Sequence, residues 1–294
     1  MNSSIALIVN KKAKNAPQIT NYLTAFDDKG INYYYFVVEP NDLVSTIQDC
    51  IKKFKILLVG GGDGTIRSAA QYCVNTSTIL GVLPLGTMNH FVKELSLPAD
   101  INSILDAIAK PHTIKIDLAE VNGLVFVNNS SLGIYPQFAR RRDYYAKFYH
   151  KWLSYIPSII QTFRHHGTFQ ITIKNENLDL SLNTSFFMVS NNLYSYQFPT
   201  KIERSNFKQA LLGIYFLKYG KLSMEKMIQH LLGKSTNFEI MKSATPIKVE
   251  VKNKERISIS LDGDAVVTDC PLIYKTIPKS LQLLTNKYEN NPHF

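Results

Sequence analysis

"ILLVGGGDGTIRSAAQY", residues Ile56 to Tyr72, is the stretch on which the reading of this chain turns. A run of branched apolar residues drives into Gly60, Gly61 and Gly62, then Asp63, Gly64 and Thr65. Beyond it, apolar residues recur at helical spacing. A strand, a glycine turn and a helix in that order make half of a βαβ unit. Glycines after a strand let backbone approach a ligand closely, and a helix N-terminus near Thr65 adds partial positive charge. The turn is neither GxxxxGK[ST] nor GxGxxG, because Thr65 stands where the last glycine would be. In that setting Asp63 would repel a phosphate. Two arrangements reconcile it, a magnesium ion held on the phosphates or a hydroxyl awaiting deprotonation. The plainer alternative is a surface turn in which Asp63 caps the following helix.

On either side the same style continues. "SIALIVN" (Ser4–Asn10), "INYYYFVVE" (Ile31–Glu39) and "STILGVLP" read as further strands. Segments around Gln18–Phe26, Leu43–Lys53, Ile66–Val74 and Met88–Leu95 carry helical spacing. Alternation of this kind predicts a largely parallel sheet. From about Thr113 the pattern becomes β-rich, with apolar and polar residues alternating and turn signals at Asn122-Gly123 and Lys252-Asn253. The expected architecture is therefore α/β. An N-terminal Rossmann-like, parallel-sheet nucleotide domain spans 1–117, and a C-terminal β-sandwich domain spans 118–294, with the boundary near Pro111–Asp117. One amphipathic helix is expected within the sandwich, near 140–166. Tyr145, Phe148, Trp152, Ile156, Ile159 and Phe163 form one face, and Arg140–Arg142, Lys147, Lys151 and Arg164 lie off it. That profile suits an interfacial membrane helix or a helix packed on the sandwich.

The formal charge of +10 is uneven. Residues 1–118 hold 11 Lys+Arg and 10 Asp+Glu, leaving 22 and 13 for residues 119–294 of the totals 33 and 23. The second half should meet a polyanion, and with no nucleic-acid recognition motif beside the charge, an anionic membrane surface is favoured. Cys50, Cys73 and Cys270 form no disulfide or zinc pattern, which suits a reducing cytoplasm. No run of about 18 apolar residues occurs, so the expected location is the cytoplasm, peripherally on the inner face of the membrane.

A second strand–turn–helix, "GVLPLGTMNHFVKEL", adds Gly86, Thr87 and Asn89, and the first strand ends on Asn10 with lysines behind it. In a parallel sheet these turns emerge together at the carboxyl ends of the strands, where such folds bind ligands. "GGGDGT" followed by "LPLGTMNHF", then "IDLAEVNGLVFVNNSSLGIYP" (Ile116–Pro136), "MVSNNLYSYQFP" and "ISISLDGD" (Ile257–Asp264), resembles the diacylglycerol kinase catalytic-domain superfamily. That group includes bacterial lipid kinases and sphingosine and ceramide kinases, and NAD kinases and 6-phosphofructokinases share its GGDG element.

The resemblance implies an ATP- and Mg²⁺-dependent kinase of a membrane lipid, diacylglycerol by default. It implies an active site in a cleft between the two domains, with ATP held by Asn10, Gly60, Gly61, Gly62, Asp63, Gly64 and Thr65 and cradled by Gly86, Thr87 and Asn89. By the same resemblance Asp63 and Asp117 organise magnesium, and Asp262 acts as general base on the lipid hydroxyl, with Asp264 beside it.

The chain departs from the family at four places. Asn10-Lys11-Lys12-Ala13-Lys14 lacks the usual proline and glycine, which leaves Lys11 and its neighbours to contact phosphates. His90 replaces an aspartate, Lys208–Leu217 has lost its acidic residues, and Ser195 and Tyr196 replace glycines. Two other functions compete, a kinase of a soluble acceptor resembling NAD kinase and a non-catalytic lipid- or nucleotide-binding protein. Exposed sandwich edges would also permit a homodimer.

Overall fold

A computed structural model describes residues 5–87, 89–133, 168–197, 201–203, 206–220 and 238–286. The helix expected near 140–166 lies outside the described residues. Two compact units result, the first comprising residues 1–118 with 204–210 and the chain from Ile277, and the second comprising 119–203 and 211–276.

The first unit alternates strands and helices in chain order: β1 (Ile5–Asn10), α1 (Ile19–Asp28), β2 (Tyr33–Val38), α2 (Leu43–Ile51), β3 (Ile56–Gly61), α3 (Asp63–Cys73) and β4 (Ile79–Pro84). Two more helices, α4 (His90–Glu94) and α5 (Ile101–Ala109), lead into β5 (His112–Val121). β1 pairs in parallel with both β2 and β3, and β3 pairs in parallel with β4. The order 2-1-3-4 is that of a doubly wound sheet, whose switch point between β1 and β3 is the ligand-binding crevice. β1 and β3 are unbroken apolar runs because both faces of a parallel sheet are covered. Ile5, Leu7, Val9, Leu58 and Leu83 meet Tyr22 and Phe26 of α1 and Ile104 and Ala107 of α5 in one buried cluster.

Two features of this unit depart from the expectation. α3 begins at Asp63 rather than near Thr65, with Gly62 extended at its N-cap, so the GDGT residues are the first helical turn and not a loop. α5 stands where no helix was expected. Asp100 and Ser103 close a capping box at its start, a local signal in the sequence that Asp-x-x-Ser carries weakly.

The second unit is β throughout its described residues. Its strands are β6 (Leu124–Phe126), β7 (Asn129–Gly133), β8 (Phe169–Asn175), β9 (Leu178–Thr184), β10 (Phe186–Asn191), β11 (Ser195–Gln197) and β12 (Lys201–Glu203). They continue as β13 (Leu212–Leu217), β14 (Tyr219–Gly220), β15 (Phe238–Ser243), β16 (Ile247–Val251), β17 (Arg256–Leu261), β18 (Asp264–Asp269) and β19 (Leu272–Thr285). One six-stranded antiparallel sheet runs β15-β13-β10-β7-β17-β18. Its Phe187, Val189, Leu132, Ile214 and Ile259 share a core with Ile171 and Ile173 of β8, Val249 of β16 and Tyr274 of β19, so two sheets enclose one apolar layer. The Asn122-Gly123 signal is a two-residue turn joining β5 to β6, with φ of 49° and 81° as a primed turn requires.

The chain first passes between units at 118/119, inside the ten-residue β5. It then returns for 204–210 and again within β19, whose later residues pair in parallel with β4. No single cut describes such a chain. Among the described residues no helix is long and apolar enough to cross a membrane.

Burial pushes the Cys73 thiol up to about 12. The unfolded chain releases that proton first, near the ordinary thiol value of about 8.5. Stability is therefore expected to fall as pH rises from there towards 12. At neutral pH a thiol reagent should modify the half-buried Cys270 first and reach Cys73 only when denaturant is added; titration of free thiols against denaturant measures this.

Candidate active site

Three turns meet at the carboxyl end of the first unit's sheet, after β1, β3 and β4. Their glycines are held to backbone by close packing. A Cβ added to Gly86 would lie 2.4 Å from the Gly62 Cα, and one on Gly61 would lie 2.5 Å from the Thr65 Cβ. The β3 and β4 turns thus touch main chain to main chain. The first N–H groups of α3 have no intrahelical acceptor, as at any helix start, and the helix dipole adds to them. A phosphate chain fits such a cradle. Gly86→Ala would force the turns apart at a cost of about 1–3 kcal/mol. Nucleotide affinity is expected to fall about tenfold or more, which calorimetric titration with ATP would read directly.

Polar side chains brace the turns against each other. Asn10 Nδ2 donates to Thr65 Oγ1 at 2.9 Å, and Asn10 Oδ1 accepts the Lys12 N–H at 3.0 Å. Asn89 sits in the left-handed region with φ 50°, which asparagine tolerates. Its Oδ1 takes the Gly86 N–H and its Nδ2 donates to the carbonyls of Pro84 and Gly86. Asn10 and Asn89, expected to touch ATP, therefore fold the turns that would hold it. Asn15, which sequence reasoning did not single out, donates from Nδ2 to the Gly86 carbonyl at 2.9 Å and from its backbone to Leu85 at 3.0 Å. It pins the loop that lacks the usual proline and glycine.

The carboxylates separate into different roles. Asp63 does not cap its own helix; its Oδ1 accepts the Phe91 N–H at the start of α4, at 3.2 Å. Its other oxygen has no protein partner among the described residues. Asp117 is fully buried on β5. Its Oδ2 accepts the Ala210 N–H at 2.6 Å and its Oδ1 the Lys279 N–H at 2.8 Å, while its own N–H donates to Phe207. Ala210 and Lys279 both have positive φ, 53° and 48°. Asp117 thus locks two strained turns in place, and Ala210 lies in the segment that lost its acidic residues.

Lys11, expected to reach phosphate, pairs with Glu39 at 2.8 Å on the exposed surface. A hydrogen bond and then charge hold the ammonium above its usual range and the carboxyl below its own. Thr87 and His90 are exposed beside the glycine turns.

In the second unit, Asp262 and Gly263 form the two-residue turn between β17 and β18, with φ of 50° and 98°. The aspartate of this turn is also engaged in hydrogen bonds. Asp262 Oδ1 accepts the N–H groups of Asn128 and Asn129 at 2.7 and 3.0 Å, and Oδ2 accepts that of Val127 at 2.8 Å. The carboxylate is thereby fixed in direction at the end of β7. Asp264 is exposed.

Residues 4–121 match the family described as the diacylglycerol kinase catalytic domain. Over those residues the chain is similar to the diacylglycerol kinase catalytic-domain superfamily. A Staphylococcus haemolyticus (strain JCSC1435) protein that carries the name of a lipid kinase is 26% identical over 253 residues, covering 78% of this chain and 76% of its own length. A lipid kinase-like protein of Klebsiella pneumoniae (strain 342) is 34% identical over 132 residues, 43% of this chain and 44% of its own. A crystal structure described as a diacylglycerol kinase from Bacillus anthracis str. Sterne shares the fold, with a TM-score of 0.68 at 19% identity over 96% of this chain and 97% of that one.

The donor set limits how magnesium would bind. Among the described residues no three His, Cys, Asp or Glu side chains gather. Magnesium commonly takes one or two carboxylates, with phosphates and waters completing its shell. Asp63 fits that role. Asp117 gives one lone pair of each oxygen to a backbone amide, which leaves a second on each for a metal or its bound water.

Proposed function

We propose that this protein transfers the γ-phosphoryl group of ATP to a hydroxyl of a membrane lipid, with diacylglycerol as acceptor and phosphatidic acid as product. The observation that carries the reading is the cradle formed where the turns after β1, β3 and β4 meet, with Gly62 against Gly86 and Asp63 at its rim. Glycine there lets the two turns pack main chain to main chain, and the first N–H groups of α3, which have no intrahelical acceptor, begin at the same turn. Magnesium bound by Asp63 and the phosphates would neutralise charge on the transferring group. A neutral or cationic side chain at that position would serve simple nucleotide binding better, so Asp63 supports phosphoryl transfer.

In this reading Asp262 accepts the proton of the acceptor hydroxyl as its oxygen bonds to phosphorus, and the bond between the γ-phosphorus and the bridging oxygen breaks to release ADP. The three amides of 127–129 hold the carboxylate in one orientation. The excess of 22 basic over 13 acidic residues in 119–294 supports docking on an anionic leaflet in the cytoplasm, at about 1 kcal/mol per basic residue near the surface.

The test uses purified protein, Mg²⁺, labelled ATP and vesicles of mixed extracted lipids. Label entering the organic phase, and absent with Asp63→Ala, is the expected result. Label retained on a water-soluble acceptor would favour the soluble-substrate alternative, and nucleotide binding with no transfer would favour a binding protein.

A further inference from the structure

Among the described residues, buried polar atoms without hydrogen-bond partners gather on the sheet that carries Asp262. Ser131 Oγ of β7, Ser258 Oγ and Ser260 Oγ of β17, and Asn129 Oδ1 of β7 all lack one. Their positions are ordered. Ser260 lies directly opposite Ser131, and the Asp262 N–H donates to the Asn129 carbonyl, so Asp262 and Asn129 form the next rung. Residues two apart on a strand share a face. Ser258 and Ser260 therefore line one face of β17, beside Asn129 and Ser131 of β7, and the Asp262 turn follows at the strand's end. The opposite face carries Leu132, Ile259 and Leu261 into the apolar core. Ser131 and Ser260 are fully buried, yet their hydroxyls satisfy neither each other nor any backbone group. Interiors rarely leave neighbouring hydroxyls unpaired, and a ligand group is one remedy.

We propose that Ser131 and Ser260 form a subsite for the ester carbonyls of an acylglycerol, one strand step from Asp262; this rests on the lipid-kinase reading of Asp262. Two residues along a strand advance about 7 Å. A glycerol hydroxyl placed at Asp262 brings the esters of the neighbouring carbons over that rung. Serine hydroxyls donate, and ester carbonyls only accept. The ammonium of a long-chain base would find no carboxylate at this rung. Met188, opposite Ser131 on β10, supplies adaptable apolar surface where acyl chains would begin.

The test compares dioctanoylglycerol with its ether analogue dioctylglycerol, which has no carbonyls. The full-length protein and its Ser131→Ala, Ser260→Ala and doubly substituted forms are used. Binding of each lipid in detergent micelles without ATP is measured alongside kcat/KM and melting temperature. The unsubstituted protein should favour the diester by about tenfold or more, the contribution of two hydrogen bonds. The double variant should lose that preference, keep its KM for ATP and melt no lower, since it removes unpaired hydroxyls. A double variant that keeps the diester preference, or an unsubstituted protein with none, overturns the subsite. A double variant that melts well below the unsubstituted protein would show structural hydroxyls instead. Preferential diester binding without phosphorylation of either lipid would leave the subsite standing and refute the kinase reading. Equal phosphorylation of both would do the reverse.

Discussion

Asp262→Asn is expected to lower the rate of phosphoryl transfer by about 10²–10⁴-fold, the usual contribution of a general base. ATP binding should be unchanged, because in this reading the glycine turns and not Asp262 hold the nucleotide. Asparagine tolerates the left-handed backbone at this position, where φ is 50°. Its oxygen can keep the Asn128 and Asn129 N–H groups, but its NH₂ would face the N–H of Val127. One unpaired donor costs about 1–3 kcal/mol. The variant should therefore fold with a lowered melting temperature and be almost inactive. Single-turnover transfer from labelled ATP, measured beside thermal melting, separates the two effects. Activity within tenfold of the original would refute Asp262 as the base. A variant that does not fold at all would mean that the amide clamp is the larger part of its role, and Asp262→Glu, which keeps the charge, would then report on catalysis.

The largest stability effect is expected at Asp117. Asp117→Ala leaves the N–H groups of Ala210 and Lys279 without acceptors in the interior, at about 1–3 kcal/mol each. Both residues also lose the contact that holds their positive φ in place. At a few degrees per kcal/mol for a chain of this size, melting should fall on the order of 10 °C. A fall that is the same with magnesium and with a chelator would assign the carboxylate to backbone alone. Asp63→Asn should behave in the opposite way, with melting little changed and magnesium dependence weakened. Loss of stability at Asp117 only when magnesium is present would return that residue to the metal site.

Much of the architecture was legible in the residues. The unbroken apolar runs at Ile5–Val9 and Ile56–Val59 mark strands covered on both faces, and the alternation in "RISISL" marks a strand with one polar side. Asn122-Gly123 and Asp262-Gly263 mark two-residue turns because few other pairs adopt positive φ twice. The glycine turn was legible too, although its helix starts earlier than apolar periodicity alone suggests. Gly62, with no side chain, leaves no periodic signal at the cap.

The roles of the polar side chains were less legible. Asn10 and Asn89 sit in the motifs that were read, yet their amides brace turns, while Asn15 lies outside any motif and pins the altered loop. The sequence by itself determined the alternation of strands and helices, the glycine turns and the order of the family motifs, because periodicity and turn chemistry act over a few residues. Only the tertiary structure decided what each buried polar group meets. Asp117 finds its partner 162 positions away at Lys279, and Asp262 finds its own 133 to 135 positions away. A carboxylate carries the same charge in every context; whether it faces backbone, metal or solvent depends on which distant segment packing brings beside it.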